Sequence, residues 1–192
     1  MFAYIVLLLA VASRVLPHAF HSAAWNFTAI GGGLLFFGSR MGRSGSGSRR
    51  GWIAAARLAS AVAVLAATDC YLTVFVYQYP FQVSWYAVTW LWYAGICLLG
   101  MGLLRKPTVL RVGAGAIASA TSFFLISNFM VWVGGTMYPR SVAGLGACYA
   151  AAIPFYRNDV VSTALTAAAL FGLPVLAARM VASLHAAHDQ AV

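Results

Sequence analysis

The chain has 192 residues, of which 62% are hydrophobic and only 8% are charged. A soluble domain is about one quarter charged, so these few charges cannot cover a water-exposed surface. An aromatic content of 14% excludes a disordered chain, and three cysteines without paired spacing exclude a disulfide scaffold. The net charge of +9 is interpreted as the asymmetry that orients membrane segments, not as a nucleic-acid-binding surface.

Six apolar segments follow one another along the chain. Because a transmembrane helix needs about 20 mostly apolar residues, they predict an all-α polytopic membrane helix bundle with about six transmembrane helices in one domain, residues 1–192. The predicted spans are residues 2–16, 23–39, 52–76, 85–104, 109–133 and 160–178. A basic Gly/Ser-rich cytoplasmic loop is predicted over 40–51, and an outer loop region over 134–159.

The first apolar segment is short and contains Arg14. Its Ala10-Val11-Ala12 sequence has the small-x-small pattern of a signal-peptide cleavage site. No basic residue precedes the apolar core, however, and this favours a retained membrane helix over a signal peptide.

The basic residues are unevenly distributed between the two predicted sides of the membrane. All but three of the 12 Lys and Arg fall after spans two and four or towards the C-terminus. The exceptions are Arg14, Arg140 and Arg157. The positive-inside rule therefore predicts that both termini are cytoplasmic, in a multi-pass protein of the bacterial inner membrane.

Small residues recur at every fourth position in three of the predicted spans. They are Ala55, Ala59, Ala63 and Ala67, then Ala114, Ala118 and Ser122, then Ala164, Ala168 and Gly172. Small side chains let helices approach closely in lipid, so we expect these rows to pack the helices of this protein together. Docking onto a partner membrane subunit is the alternative that the sequence leaves open.

The sequence lacks the motifs of covalent or metal-dependent catalysis. It has no Walker loop and no HExxH, GxSxG or CxxC motif, and three Asp without any Glu leave little for acid–base chemistry. His18/His21 and His185/His188 have i, i+3 spacing, but no acid or cysteine lies near the first pair and the second lies in the tail. We expect no enzymatic activity, no metal and no cofactor.

Polar side chains at membrane depth gather towards the predicted outer side. An ionisable side chain within a span is costly and marks a candidate functional site. We expect eight residues to line or support an outward-facing pocket for a small polar solute, held by Arg and Asn and stacked on aromatic rings. They are Arg14, Asn26, Asp69, Asn128, Trp132, Tyr138, Tyr149 and Arg157. The alternative is that Asp69 only pairs with Arg14 or Arg157 and that the aromatic residues form an interface belt.

The run from Ser122 to Phe155 carries a family resemblance. It includes Ser127-Asn128-Phe129, Tyr138-Pro139, Cys148-Tyr149 and Ile153-Pro154-Phe155, and Leu16-Pro17-His18 and Asn26-Phe27-Thr28 add to it. These residues resemble an uncharacterised bacterial membrane family, domain of unknown function 6580, whose label indicates transport. Its architecture is similar to that of the substrate-binding subunits of energy-coupling-factor transporters. The resemblance implies a six-helix protein that binds a solute from outside and docks onto a separate membrane subunit.

The leading hypothesis is therefore a protein of the lipid bilayer that binds or helps to transport a small polar solute, without catalysis and without nucleic acid. The alternative is a non-catalytic structural subunit of a larger redox or energy-converting membrane complex. The rows of small residues and the aromatic content fit that alternative as well.

Overall fold

The computed structural model describes residues 1–14, 27–42 and 47–189, with side chains over 49–186 in the last range. This described part is helical and contains no strand, which confirms the predicted all-α class. Its six α-helices are α1 (Phe2–Ala12), α2 (Ile30–Met41), α3 (Gly47–Tyr71), α4 (Val83–Leu103), α5 (Val109–Gly134) and α6 (Val142–Asp189). A π-helical turn, Leu72–Val76, follows α3 directly.

Four helical segments of the described chain are long and apolar enough to cross a membrane. They are Arg49–Val76, Val83–Leu103, Val109–Gly134 and Val142–Ala186. α1 and α2 have 11 and 12 residues, which gives lengths of about 17 and 18 Å against a hydrocarbon core of about 30 Å. The predicted spans 2–16 and 23–39 are thus shorter helices where they are described, and residues 15–26 lie outside the described part.

The last helix differs most from the sequence prediction. An outer loop region over 134–159 and a span over 160–178 are predicted, but α6 runs without a break from Val142 to Asp189. Only residues 135–141 connect α5 to α6. Pro154 and Pro174 lie inside α6. Membrane helices tolerate proline where neighbouring groups satisfy the hydrogen bonds of the backbone. The prediction of a long outer loop is therefore wrong.

α2 lies at the centre of the bundle, and all of its residues except Arg40 are buried. Its glycines allow this. A Cβ on Gly38 would overlap the Cys97 carbonyl of α4, and a Cβ on Gly100 of α4 would overlap the Leu35 carbonyl of α2. The two glycines therefore bring the backbones of α2 and α4 into direct contact, as small residues do in membrane helix packing.

The predicted rows of small residues face outwards. All four alanines of the α3 row are exposed, as are Ala114 and Ala118 of α5 and Ala164 and Ala168 of α6. Gly172 is half-buried, and a Cβ on it would have no described neighbour within 4 Å. Ser122 does contact another helix, because it accepts a hydrogen bond from Trp92 Nε1 of α4 at 2.9 Å. Apart from Ser122, the expectation that these rows pack the helices of this protein together is wrong. Beside the α6 row, about 100° around the helix, Thr163 and Ala167 are buried.

Candidate functional site

Asp69, near the end of α3, is the centre of a buried polar cluster. Its side chain is 1% exposed. Oδ1 forms an ion pair with Nη2 of Arg14, and Oδ2 accepts a hydrogen bond from Trp90 Nε1 at 2.9 Å. The Tyr93 hydroxyl donates to Oδ1 at 3.5 Å. A buried carboxylate is costly unless it is paired and hydrogen-bonded, and here both oxygens have partners.

The backbone after Asp69 widens into the π-helical turn. Such turns are rare in proteins, and many of those that occur lie at functional sites. The Thr73 hydroxyl donates to the Asp69 carbonyl at 2.7 Å and also contacts the Tyr86 hydroxyl. Beyond the turn, Gln78 has a left-handed φ of 57°, which is uncommon for a residue other than glycine. These contacts tie the end of α3 to α4 next to the carboxylate.

Arg14 follows α1, and a neighbouring hydroxyl holds its backbone. Ser13 Oγ donates to the Ala10 carbonyl at 2.6 Å and accepts from the Ala29 amide at 2.9 Å, which joins the end of α1 to the start of α2. The guanidinium Nη2 meets Asp69, whereas Nη1 is buried and has no hydrogen-bond partner in the described part of the chain. Buried polar atoms are almost always paired, so Nη1 is a donor suited to a further acceptor.

Three aromatic rings stack beside the ion pair. Phe81 lies on Tyr86 with centroids 5.0 Å apart and planes at 13°, and Tyr86 lies 6.3 Å from Trp90 at 24°. All three are half-buried. These rings and Tyr93 are not among the residues that the sequence predicted for the site. The i, i+4 spacing of Tyr86 and Trp90 is a signal that could have found two of them, because such residues share a helix face.

Asn128 belongs to a separate polar group between α5 and α6. Its amide donates to the Phe124 carbonyl at 2.7 Å. Asn128 and Asp159 line a cavity of about 80 Å³, and the Thr163 hydroxyl donates to the Asp159 carboxylate at 3.4 Å. Pockets for organic ligands are usually about 300–1,000 Å³. This cavity is therefore the size for a water molecule or a small ion, and Asn128 does not join the Asp69 cluster.

Three of the predicted aromatic residues belong to the hairpin that α5 and α6 form. Trp132 Nε1 donates to the Pro139 carbonyl at 2.9 Å, and the Tyr149 hydroxyl donates to the Leu125 carbonyl at 2.7 Å. Tyr138 is half-buried in the connection between the helices. The Tyr149 bond therefore ties α6 to α5, and the Trp132 bond ties α5 to the connection between them.

The two remaining predicted residues are not part of the cluster as described. Arg157 is exposed on α6, so the partner of Asp69 is Arg14, one of the two that the sequence allowed. Asn26 lies outside the described residues. The structure thus brings together Arg14 and Asp69 out of the eight predicted residues.

The described residues include no group of three His, Cys or acidic side chains that could hold a metal ion. His18 and His21 lie outside the described part, as does the side chain of His188. The expectation that the protein binds no metal therefore stays a prediction.

A family model for proteins of unknown function matches residues 1–184. The chain belongs to this family, DUF6580. No curated protein and no solved structure matches the chain. The family resemblance predicted from the sequence is confirmed, whereas the transport role and the similarity to substrate-binding subunits of energy-coupling-factor transporters stay predictions. Because DUF6580 is defined without a function, the geometry of the polar cluster has to carry any functional proposal.

Proposed function

We propose that this DUF6580 protein is a multi-pass protein of the bacterial inner membrane that binds a small polar solute, as a binding or transport subunit without catalytic chemistry of its own. The buried Arg14–Asp69 pair carries the proposal. Asp69 holds one guanidinium nitrogen, and the other is buried without a partner among the described residues. A charged pair at membrane depth is a functional candidate by default.

The chemistry of the cluster favours a solute with a carboxylate or amide oxygen. Arg presents a planar fork of donors that suits such acceptors. Asp69 fixes the guanidinium, so a solute that accepts from Nη1 meets a donor that is already oriented. The half-buried rings of Phe81, Tyr86 and Trp90 supply an apolar surface beside it. A small, partly planar solute fits this combination of a few polar groups and an aromatic wall.

Native mass spectrometry of the protein purified from its own membrane tests the proposal. We expect the wild type to carry a bound small molecule. Arg14→Lys keeps a positive charge for Asp69 but removes the second nitrogen, so the bound mass should be lost while the protein still folds. Arg179→Lys, at an exposed position of α6, is the matched control and should retain it. A wild type without a bound small molecule, or an Arg14→Lys variant with full occupancy, would show that the proposal is wrong.

The exposed rows of small residues favour a second candidate, a non-catalytic structural subunit of a larger redox or energy-converting membrane complex. Ala55, Ala59, Ala63 and Ala67 expose one face of α3. Small residues allow a partner helix to approach closely in lipid, and the same face could dock a transport partner. Co-purification of a stable complex that Ala59→Leu dissociates, from a protein without a bound solute, would favour this candidate over the first.

A further inference from the structure

The end of the bundle away from Asp69 contains a cavity of about 470 Å³, here called the basic cavity. Parts of α2, α3, α4 and α5 and the connection between α4 and α5 surround it. None of the described residues that line it is acidic, and four of them are cationic, namely Arg50, Arg105, Lys106 and Arg111. Residues far apart in the sequence thus place four positive charges around one concave surface.

Hydrogen bonds hold part of this arrangement in place. Thr108 caps α5 by accepting from the Arg111 amide at 3.3 Å. The Arg111 guanidinium donates through Nη1 to the Lys106 carbonyl at 3.2 Å. The connection between α4 and α5 is therefore fastened to the first turn of α5, and two of the four cationic residues have a defined relative position.

Arg50 lies near the residue that follows α2. A Cβ on Gly42 would lie 3.8 Å from Arg50 Nη2 and 3.8 Å from Met101 Sδ. The Arg50 guanidinium therefore lies close to Gly42, the residue that follows α2, and to Met101 of α4. Ser39, one turn earlier in α2, is 3% exposed and lines the same cavity. The cavity is thus a cleft between helix ends.

Neither described carboxylate lines the basic cavity. Asp69 is paired with Arg14, and Asp159 lines the small cavity between α5 and α6. Like charges around a concave surface focus a positive potential that attracts anions. The chemistry of the cavity therefore points to an anion that accepts several charged hydrogen bonds at once.

We propose that the basic cavity binds a phosphate group, provided either by the headgroup of an anionic phospholipid or by a soluble phosphate-bearing molecule. Phosphate oxygens accept from several Arg and Lys side chains together. Along α3, Arg50 lies about 28 Å from Asp69, close to the hydrocarbon thickness of about 30 Å. The cavity therefore lies at the level of lipid headgroups if Asp69 lies near the other membrane surface. Basic pockets between membrane helices are a known kind of headgroup site.

Binding to the purified full-length protein in a neutral detergent tests this proposal. The lipid arm uses phosphatidylglycerol, with phosphatidylcholine as the lipid without net charge. The soluble arm uses inorganic pyrophosphate. We expect saturable binding in at least one arm, measured by native mass spectrometry and by the ligand-dependent rise in unfolding temperature. Arg50→Gln should weaken that binding about tenfold, because it removes a charge-assisted hydrogen bond.

Arg179→Gln is the matched control, since it removes the same charge from an exposed position outside the cavity, and should leave the affinity unchanged. If Arg50→Gln fails to fold, Lys106→Gln at an exposed position of the cavity takes its place. Preference for phosphatidylglycerol over phosphatidylcholine assigns the phosphate to a lipid, and binding of pyrophosphate assigns it to a soluble molecule. Equal losses in Arg50→Gln and Arg179→Gln, or no pyrophosphate binding together with equal binding of both lipids, would overturn the proposal.

Discussion

The two ends of the bundle hold charge in opposite ways. Around Asp69, one carboxylate and one guanidinium are paired, and Trp90 donates a further hydrogen bond to the carboxylate. At the basic cavity, the four cationic side chains named above are exposed, and no acid is found among the described lining residues. The charges of the Asp69 cluster are therefore paired and mostly buried, whereas those of the basic cavity are all positive and exposed.

Burial decides what each set of charges can do. A buried pair cannot lose one member cheaply, because the remaining charge stays in a medium of low polarity without a counter-ion. Exposed charges are solvated and screened, so each contributes little to the stability of the fold. Substitutions at the Asp69 end should therefore change stability, and substitutions at the basic cavity should change binding alone.

The largest effect is expected for Asp69→Ala, which leaves the Arg14 guanidinium without its counter-ion. We expect the free energy of unfolding to fall by about 3–5 kcal/mol, as for other broken buried pairs. Reversible unfolding in detergent, followed by helical circular dichroism, measures it. A double variant, Arg14→Met with Asp69→Leu, removes both charges and should recover most of the loss. If the single variant is as stable as the wild type, the pair makes no contribution to the fold.

A smaller effect is expected for Trp90→Phe. This change keeps an aromatic ring beside Tyr86 but removes the indole donor that bonds Asp69 Oδ2. The expected loss is about 1 kcal/mol, the usual contribution of one hydrogen bond. The same unfolding measurement tests it, with Trp85→Phe as the control because Trp85 is 62% exposed on the same helix. Equal losses in the two variants would contradict a specific role for the bond to Asp69.

The Arg14–Asp69 pair could be predicted from the sequence, because both residues are ionisable at membrane depth, where a charge needs a partner. Tyr93 could not, because aromatic residues are common in apolar spans, and the sequence offers for Trp90 only its i, i+4 spacing with Tyr86. Their contact with Asp69 depends on the register between α3 and α4, which is a property of the packed bundle. Composition identifies the costly charge but not the neutral groups that surround it.

The direction in which the rows of small residues face could not be predicted from the sequence either. A four-residue period defines one face of a helix, but the direction of that face depends on where the other helices lie. In α3 the exposed Ala59 and Ala63 flank the buried Ala61, and the composition of the two faces differs little. The central position of α2 could not be predicted from the sequence, because its packing on α4 depends on Gly38 meeting a glycine-containing stretch of another helix.

The α6 prediction failed for a different reason. Its polar residues Arg157 and Asp159, together with Pro154, lower the local hydropathy and indicate a loop. In the structure, Asp159 faces the cavity between α5 and α6 and Arg157 is exposed, so a continuous helix accommodates both. Hydropathy averages over all faces of a segment and therefore misses a helix that carries a few polar residues on different faces.

The smallest effect on stability is expected for Arg50→Gln at the basic cavity, which should leave the free energy of unfolding unchanged in the absence of ligand. Arg50 is exposed and lies among like charges, so its removal relieves repulsion and breaks no buried contact. Arg14→Gln removes the same kind of charge at the other end and should destabilise the protein strongly, because Asp69 remains buried. Comparing the two variants by unfolding in the same detergent isolates burial as the cause. A large loss in Arg50→Gln would mean that the basic cavity is part of the folded core, and the contrast between the two ends would then fail.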